Sequence, residues 1–353
     1  MNRLRFQVSQ KSIAEQAGVS QSTVSLVLSG RRVNSDETSQ RVLEAAERLR
    51  YRPNLLVRGI QTGKTRMIGV MMPPFDFYWS EVLYGIHDVL TAADHVPITL
   101  WTVHIGAKPR RREGPGEELQ QIHRLLDRRV DGVILWPPFA ELFREHIHEF
   151  SSRNLPVVTI DHQLPAEYNA DYVGSDEAEG GRMVAEHLYA QGHRRMGHVA
   201  AASVASWALA RRSAFENAVR EMPGASCVTL EVPRGETGLA IEPAREMLSR
   251  EDRPTAIFAA SDLYAKQVYQ AAKELNLIIP DDLNVVGFSD DDFACEMSPP
   301  LTSVRQPAYQ IGRRAAEVVL GRSMGRIRDR GRHEELPVSL IVRESSQRMG
   351  PLH

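Results

Sequence analysis

From Met67 onward, the chain alternates short apolar runs with amphipathic stretches of 11 to 16 residues, a pattern that restricts the possible folds strongly. The apolar runs are rich in Val and Ile and lack polar alternation, which is typical of parallel strands buried on both faces. They are MIGVMM (67–72), VPITLWTV (96–103), GVILW (132–136), LPVVTID (155–161), MGHVAA (196–201), CVTLEV (227–232), TAIFAA (255–260) and LNVVGF (283–288). Helical patterns lie between them, as at 80–93, 177–190 and 261–276. The pattern predicts a doubly wound α/β body, and its length favours two lobes over one sheet.

The beginning of the chain is organised differently, because residues 9–50 contain three short helical patterns and no strand pattern, and the change comes at 62–66. Ser9 and Ser20 stand where the first two helices need N-caps, and Gly18 stands where the turn between them needs a positive φ. The apolar faces of these helices are formed by Ile13, Ala14, Ala17, Val24, Val27 and Leu28. This arrangement is typical of a helix-turn-helix. An ordinary helical hairpin inside a larger core is the alternative interpretation.

A third helical pattern begins at Ser35, the expected N-cap, with Asp36 and Glu37 in the first turn, where they complement the helix dipole. The side chains expected to cover the first two helices are Val42, Leu43, Ala46 and Leu49.

The charge distribution supports a nucleic-acid partner for this head. Although the whole chain has a formal net charge of -2, its first 66 residues carry 12 Lys and Arg against 5 Asp and Glu. The chain therefore joins a basic head to an acidic body, and we predict that the head binds DNA.

The two cysteines indicate a reducing compartment. Cys227 and Cys295 are 68 positions apart, with no CxxC pair and no framework of the kind that small secreted domains use. The start of the sequence has no apolar core of signal-peptide length, and nowhere do about 18 apolar residues run uninterrupted. We therefore expect a cytoplasmic, nucleoid-associated protein with no membrane partner.

Several segments together resemble the lactose/galactose repressor (LacI/GalR) family. In the head they are AEQAGVSQSTVSLVLSG and ETSQRVLEAAERLRYRPN, followed by TGKTRMIGV; in the body they are LLDRRVDGVIL, VVGFSDDD and SPPLTSVRQPAYQIGRRAAE. The resemblance covers essentially the whole chain. It implies a small all-α helix-turn-helix head (1–51), a hinge helix and linker (52–65), and a periplasmic-binding-protein-like effector and dimerisation domain (66–353) of two doubly wound α/β lobes. The expected lobe boundaries are 66–161 with 304–330 for the first lobe, and 162–300 with 331–353 for the second.

The resemblance also implies a homodimer on a pseudo-palindromic operator, with the second helix of each head in the major groove and a hinge helix in the minor groove. The base-reading positions are Gln21, Ser22 and Leu26; Leu26 stands where many relatives have Arg or His, and it can offer only apolar contact, as to a thymine methyl. The expected phosphate contacts are Ser9, Ser20, Thr23, Ser25, Asn34 and Thr38, for which a solvent-exposed cap is the alternative. The hinge positions are Asn54, Val57, Arg58 and Ile60, with Ile60 in place of the family's leucine wedge.

The expected effector site lies between the lobes, outside the carboxyl ends of the strands. Its candidate residues are Asp76, Tyr78, Trp79, Asp161, Trp207, Arg211, Ser261, Asp262, Ser289 and Asp290. Aromatic rings beside carboxylates and one Arg suit a sugar or a related polyol, and Arg211 matches the family's effector-anchoring arginine. Ser289 stands where many family members have Asp, and Ser261 stands where many have Asn or Asp, so both positions depart from the family. The alternative is that the tryptophans are core residues and that Asp161 is a cap.

No enzymatic motif is present: the chain lacks GxxxxGK[ST], GxSxG and GxGxxG. The run 145–149 lacks the HExxH spacing of a zinc site, and 290–292 lacks the Gly and the Glu of a calcium loop. We therefore expect no catalytic residue, metal or cofactor. The predicted function is a homodimeric repressor of a catabolic or transport operon, switched by a small ligand, most simply a carbohydrate. The alternatives are a corepressor-dependent or activating regulator and, in a different class, a solute-binding protein or sugar-acting enzyme with an incidental basic head.

Overall fold

The computed structural model describes residues 9–28, 36–51, 63–73, 77–102, 115–137, 144–202, 205–232, 240–329 and 331–347. The chain divides into two compact units, residues 1–65 and 66–353. Six of the candidate site residues lie outside the described residues: Asn34, Asn54, Val57, Arg58, Ile60 and Asp76. Ser35, the expected N-cap of the third helix, lies outside them as well.

The first unit contains helices α1 (Gln10–Ala17), α2 (Gln21–Leu28) and α3 (Glu37–Arg48). Ser9 Oγ accepts a hydrogen bond from the Ser12 amide at 3.3 Å, and Ser20 Oγ accepts one from the Thr23 amide at 3.2 Å. Gly18 ends α1 with φ 65°. These local features confirm the predicted caps and turn, because each depends on residues close in sequence.

The third helix corrects the predicted cap by one position. Asp36, and not Ser35, is the N-cap, since its side chain accepts a hydrogen bond from the Ser39 amide at 2.6 Å. The head core contains Ile13, Ala14, Ala17, Val24, Val27, Val42, Ala45 and Ala46. Leu43 is exposed rather than covering the first two helices, whereas Leu28 and Leu49 are partly buried against the core.

The described residues of the second unit form two six-stranded sheets. The first has the order β11-β5-β4-β3-β1-β2 and is parallel throughout. Its strands are β1 (Met67–Met72), β2 (Val96–Trp101), β3 (Gly132–Leu135), β4 (Val157–Ile160), β5 (Asp171–Ser175) and β11 (His333–Leu336). The second has the order β12-β10-β9-β8-β6-β7, with only β12 antiparallel to its neighbour. Its strands are β6 (Arg195–Ala201), β7 (Ser226–Val232), β8 (Ala256–Ala259), β9 (Asn284–Ser289), β10 (Thr302–Arg305) and β12 (Ser339–Ile341).

Helices connect these strands, as doubly wound sheets require. They are α4 (Phe77–Ala92), α5 (Pro115–Asp127), α6 (Arg144–Ser152), α7 (Glu177–Ala190), α8 (Ser206–Glu221), α9 (Ile241–Leu248), α10 (Asp262–Glu274) and α11 (Ala308–Ser323). Short 3₁₀ helices lie at Ala166–Tyr168, Asp292–Glu296 and Glu344–Ser346. Within the described part of the chain, no helix combines the length and the apolar character needed to span a membrane.

All eight apolar runs form strands, but two of them are not buried on both faces. Strands β2 and β7 lie at sheet edges, and their residues are mostly half-buried or exposed, because an edge strand has one neighbour instead of two. The sequence prediction also missed four strands: β5, β10, β11 and β12. These are only three to five residues long and contain polar or charged side chains, so they have no long apolar run to reveal them.

The chain crosses between the lobes three times, at 175–177, 305–308 and 336–339. The predicted boundaries are wrong for two strands assigned to the second lobe. Strand β5 pairs with β4, and β11 pairs with β5, so both belong to the first sheet. Residues 304 and 305 belong to β10 in the second sheet, whereas α11 packs into the core of the first lobe, as expected.

Candidate functional site

The outer face of α2 carries the side chains that the sequence singled out for base reading. Gln21 and Ser22 are exposed, and Leu26 is 44% exposed. Val24 and Val27 occupy the opposite, buried face of the same helix. The fold therefore places the three candidate side chains where they can contact another molecule.

Hydroxyl groups cluster at the N-terminal ends of the first two helices. Ser20 Oγ lies 2.7 Å from Ser22 Oγ and 2.9 Å from Thr23 Oγ1. Ser9 caps α1, while Ser25 and Thr38 are half-buried. Small hydroxyls and free amides at helix N-termini are groups that bind anionic oxygens well.

A cavity of about 250 Å³ lies between the two lobes. Seven of the ten candidate effector residues line it: Tyr78, Trp79, Asp161, Trp207, Arg211, Ser261 and Ser289. The sequence choice missed further lining residues, including Trp136, Glu177, Phe288, Asp291 and Gln306. Residues from distant parts of the chain meet here because the carboxyl ends of the parallel strands in both sheets face the same gap.

The first-lobe wall is aromatic and carries one buried carboxylate. Tyr78 Oη donates a hydrogen bond to Asp161 Oδ2 at 2.5 Å. The rings of Tyr78 and Trp79 meet edge-on with centroids 5.0 Å apart, and Trp79 meets Trp136 at 5.8 Å. Burial and the neighbouring Asp161 carboxylate hold the pKa of Tyr78 well above its usual value, so its hydroxyl keeps its proton as a donor.

The second-lobe wall is centred on a buried ion pair. Arg211 on α8 donates from Nε and Nη2 to Glu177 Oε2, at 2.8 and 2.6 Å, and from Nη1 to the Ala260 carbonyl. Its guanidinium carbon also lies 3.3 Å from the centroid of the Phe288 ring. Helix α7 approaches closely enough to hold this geometry because Gly181 faces the Arg211 backbone, where a Cβ would lie 2.3 Å from the carbonyl oxygen.

Gln306 joins this pair to the crossings between the lobes. Its Nε2 donates to Ser175 Oγ at 3.0 Å and to Glu177 Oε1 at 3.1 Å. Ser175 and Glu177 lie at the first crossing, whereas Gln306 lies at the second. Burial raises the pKa of Glu177, and the Arg211 guanidinium opposes that shift. At the floor of the cavity, residues of two lobe crossings are therefore hydrogen-bonded to each other, and one of them, Glu177, also binds Arg211, the candidate ligand anchor.

Two predicted effector residues do not line this cavity. Asp262 is fully buried beneath it, where it accepts hydrogen bonds from Ser303 Oγ at 2.6 Å and from the Asp291 amide at 2.8 Å. Burial raises the pKa of Asp262 to about 6. Its side chain braces the loop that follows β9 and does not line the cavity.

Asp290 is the second candidate residue that does not line the 250 Å³ cavity. Its carboxylate pairs with Arg305 and Arg343, at 2.7 Å in each case. It lines an adjoining cavity of about 530 Å³, which shares Tyr78, Ser289, Asp291 and Gln306 with the first. Ser289 and Asp290 both have positive φ, 110° and 55°, so the backbone turns sharply after β9 and presents Asp291 to the first cavity instead.

The missed residues had partial signals in the sequence. Trp136 ends the apolar run GVILW, and Gln306 belongs to the segment SPPLTSVRQPAYQIGRRAAE. Glu177 directly follows Asp176, the N-cap of α7, but the strand before it was not predicted. Among the described residues, no group of three or more His, Cys, Asp or Glu is arranged to hold a metal ion.

A basic helix-turn-helix head on a two-lobed α/β body, with a cavity between the lobes, defines a ligand-responsive DNA-binding regulator. Comparison with known proteins gives the same class. Residues 10–54 match the model of bacterial regulatory proteins of the lacI family, and residues 185–346 match a periplasmic binding protein-like domain.

The ribose operon repressor of Haemophilus influenzae is 30% identical, over 88% of this chain and 91% of that protein. The HTH-type transcriptional repressor PurR of Vibrio vulnificus is 28% identical, over 96% of this chain and 98% of that protein. The lac repressor dimer bound to operator and the anti-inducer ONPF has the same fold, with a TM-score of 0.80, 24% identity and coverage of 96% of this chain and 99% of that one. The chain belongs to the LacI family of bacterial regulatory proteins and is a DNA-binding transcriptional regulator.

Proposed function

We propose that the protein is a homodimeric repressor of a catabolic or transport operon and that a small carbohydrate-like ligand in the 250 Å³ cavity changes its operator affinity. The observation that carries the ligand class is the combination of three tryptophans with hydroxyl, carboxylate and guanidinium groups around one cavity. Aromatic rings cover the apolar faces of a sugar, and polar side chains pair with its hydroxyls. The similarity to a ribose operon repressor supports this choice.

The head reads a pseudo-palindromic operator through the exposed face of α2. The Gln21 amide can serve the N6/N7 edge of adenine, Ser22 can accept or donate, and Leu26 can contact a thymine methyl. The proposed phosphate contacts are Ser9, Ser20, Thr23, Ser25, Asn34 and Thr38. The segment with Asn54, Val57, Arg58 and Ile60 is proposed to enter the minor groove, with Ile60 as the wedge. Operator binding places the protein on the chromosome, in the cytoplasm.

An exposed apolar surface supports the homodimer. Helix α4 and edge strand β2 form a groove of about 400 Å³, in which Leu83, Tyr84, Ile86, Pro97 and Trp101 supply the apolar lining. Tyr84 is 63% exposed and Trp101 39%. A second copy of the chain is the proposed occupant, because a two-fold symmetric operator requires two heads related by the same symmetry.

The switch is proposed to act through the crossings. Closure of the lobes around a ligand moves the three crossing segments, and Gln306 connects two of them to the cavity. By linkage, a ligand changes operator affinity only as far as it binds the DNA-bound and free proteins unequally. Shifting the bound population from 99:1 to 1:99 takes about 5.5 kcal/mol of differential affinity.

Selection of bound duplexes from random DNA tests the proposal directly. We expect a two-fold symmetric consensus, with binding that weakens by orders of magnitude between low and moderate salt, because Lys and Arg release counterions from phosphates. The genes beside matching genomic sites then identify the candidate ligands, which are added to the same binding reaction. Sequence-independent or salt-insensitive binding would contradict the proposal, and so would an operator affinity unaffected by every carbohydrate that the regulated genes handle.

A further inference from the structure

The charged side chains around the cavity are mostly acidic. Among the described lining residues, three carry carboxylates, Asp161, Glu177 and Asp291, and Arg211 carries the only positive charge. Arg305 and Arg343 belong to the adjoining cavity, where both pair with Asp290. Whether the cavity admits an acidic ligand therefore depends on whether the positive charge of Arg211 is already balanced within the protein.

Glu177 balances the charge of Arg211 inside the protein. Both side chains are 6% exposed, and the Arg211 Nη2 to Glu177 Oε2 distance is 2.6 Å. Three donors converge on this carboxyl group: Arg211 Nε, Arg211 Nη2 and Gln306 Nε2. These three donors favour the ionised form of the carboxyl group and oppose the effect of burial, which raises its pKa. The pair is therefore a closed, neutral unit at the cavity wall.

Arg211 nevertheless keeps donors for a neutral ligand. A guanidinium has five N–H groups, and Glu177 and the Ala260 carbonyl take three of them. The remaining N–H groups can donate to a hydroxyl or a ring oxygen. An incoming carboxylate or phosphate, in contrast, would meet a guanidinium whose charge Glu177 already balances, with further carboxylates nearby.

We propose that Glu177 sets the charge selectivity of the cavity: it restricts the site to uncharged hydroxylated ligands and excludes ligands with a carboxylate or phosphate group. This inference rests on the proposed function, because it concerns the ligand of the same site. Glu177 acts as a specificity-determining residue through Arg211, which it positions and neutralises.

The test compares wild-type protein with Glu177→Gln, which keeps the size of the side chain and removes its charge. The probe is sodium gluconate, a polyol with one carboxylate, titrated against sodium chloride at equal ionic strength. Three of the four tryptophans line the cavity, so intrinsic fluorescence reports its occupation. We expect no saturable fluorescence change in the wild type and a saturable change in Glu177→Gln. The affinity of Glu177→Gln for gluconate should exceed that of the wild type by about tenfold or more, as a charge-assisted hydrogen bond would give.

Two control variants assign the effect. Glu179→Gln removes a carboxylate from the same helix, where Glu179 pairs with Arg182 at the surface, and should behave as the wild type. Adding Arg211→Gln to Glu177→Gln should abolish the gain. The inference is overturned if the wild type binds gluconate saturably, a measurement that needs no variant, or if folded Glu177→Gln gains nothing. Operator binding is measured separately, so failure of the proposed function is distinguishable.

Discussion

His198 shows how the surroundings of one buried side chain decide its chemistry. Its ring stacks on Phe258 with centroids 4.7 Å apart, and Nδ1 lies 2.9 Å from the Phe258 carbonyl oxygen, to which it donates. Burial lowers the pKa of His198 to about 4. The imidazole is therefore neutral in the folded protein throughout the physiological range, and protonation favours unfolding.

The first prediction follows from this sign. Between about pH 4 and 6.5, the unfolded chain binds more protons at His198 than the folded chain does. The contribution of neutral His198 to stability is therefore complete above this pH range and is lost as the pH falls through it. From pH 7 to pH 4, wild-type protein should lose up to about 3 kcal/mol relative to His198→Phe. Urea unfolding followed by tryptophan fluorescence at several pH values measures this difference.

The comparison with a variant is needed because Asp262 acts in the opposite direction. The pKa of Asp262 is raised to about 6, so the stabilisation by its protonated form is lost as the pH rises. Asp262 stays in both proteins, so subtracting the two pH curves isolates the contribution of His198. A difference between the two proteins that does not change with pH would contradict the prediction.

The second prediction concerns Arg211. Replacing Arg211 with Ala removes the partner of a buried carboxylate, so we expect a loss of about 3 to 5 kcal/mol of unfolding free energy in addition to the loss of ligand response. The double variant Arg211→Met with Glu177→Leu should recover much of that stability but not the ligand response. Denaturant unfolding and operator binding with and without ligand provide the two measurements. A stable Arg211→Ala protein with a normal ligand response would remove Arg211 from the site.

Residues whose roles depend on near neighbours were predictable from the sequence. Ser9, Gly18 and Ser20 interact within four positions, so the local pattern was sufficient. Glu177 and Gln306 are bound across 129 positions, and no sequence period reports such a contact. Asp262 and Asp290 do not line the 250 Å³ cavity for a related reason: a position directly after a strand places a residue at the correct sheet edge but does not decide which side of the loop it faces.

At the scale of elements, α4 and α11 pack closely through glycines. A Cβ on Gly85 would lie 2.1 Å from the Tyr309 carbonyl oxygen, and one on Gly312 would lie 1.9 Å from that of Val82. Such distances are far below van der Waals contact, and the obstructing atoms are backbone, so no side-chain rotation can relieve them. These helices must separate if either position gains a side chain.

The third prediction is that Gly312→Ala destabilises the body by about 1 to 3 kcal/mol through overpacking, although Ala has the higher helix propensity by about 1 kcal/mol. Thermal unfolding monitored by circular dichroism measures the loss. Gln310→Ala, an exposed position on the same helix, is the matched control and should change stability by less than about 0.5 kcal/mol. Equal stability of Gly312→Ala and wild type would show that the two helices tolerate separation.

Strand β11 explains why part of the fold escaped sequence prediction. Its residues, HEEL, have no apolar run, and polar contacts place it beside β5. Asp171 on β5 accepts two hydrogen bonds from Arg322, at 2.6 and 2.7 Å, and one from the Arg332 amide at 2.8 Å. The His333 ring stacks on Tyr172 at 4.5 Å. Hydrophobic periodicity predicts strands whose side chains are buried in the core, whereas β11 is held in place by specific partners from other elements.

At the scale of the whole molecule, the exposed surface of α4 and β2 leads to the fourth prediction. Tyr84→Glu places a charge in the proposed dimer interface twice, once per subunit, so the dimer dissociation constant should rise by at least about tenfold and operator affinity should fall with it. Sedimentation equilibrium measures the dimer. Met324→Glu alters another exposed large hydrophobic side chain, at the C-cap of α11, and should leave the dimer unchanged. An undiminished Tyr84→Glu dimer would place the interface elsewhere.

The two-lobed architecture itself was predictable, because the length of a body with eight apolar runs favours two lobes over one sheet, but the sharing of segments between the lobes was not. The lobe boundaries depend on short polar strands near the crossings, and these carry the weakest sequence signal. The result is a first lobe assembled from two separate segments of the chain, one that ends with β5 and one that runs from α11 to β11.

This division of the first lobe affects the order in which the protein can fold during synthesis. The core residues described in the head all lie within the first 51, so they leave the ribosome long before β11 has been translated. The first lobe, in contrast, lacks α11 and β11 until residues 308–323 and 333–336 have been translated. Neither the closed core of that lobe nor the cavity floor at Gln306 can exist in a nascent chain that ends earlier. The helix-turn-helix head is thus made before the cavity between the lobes, which is complete only after α11 and β11 have been translated.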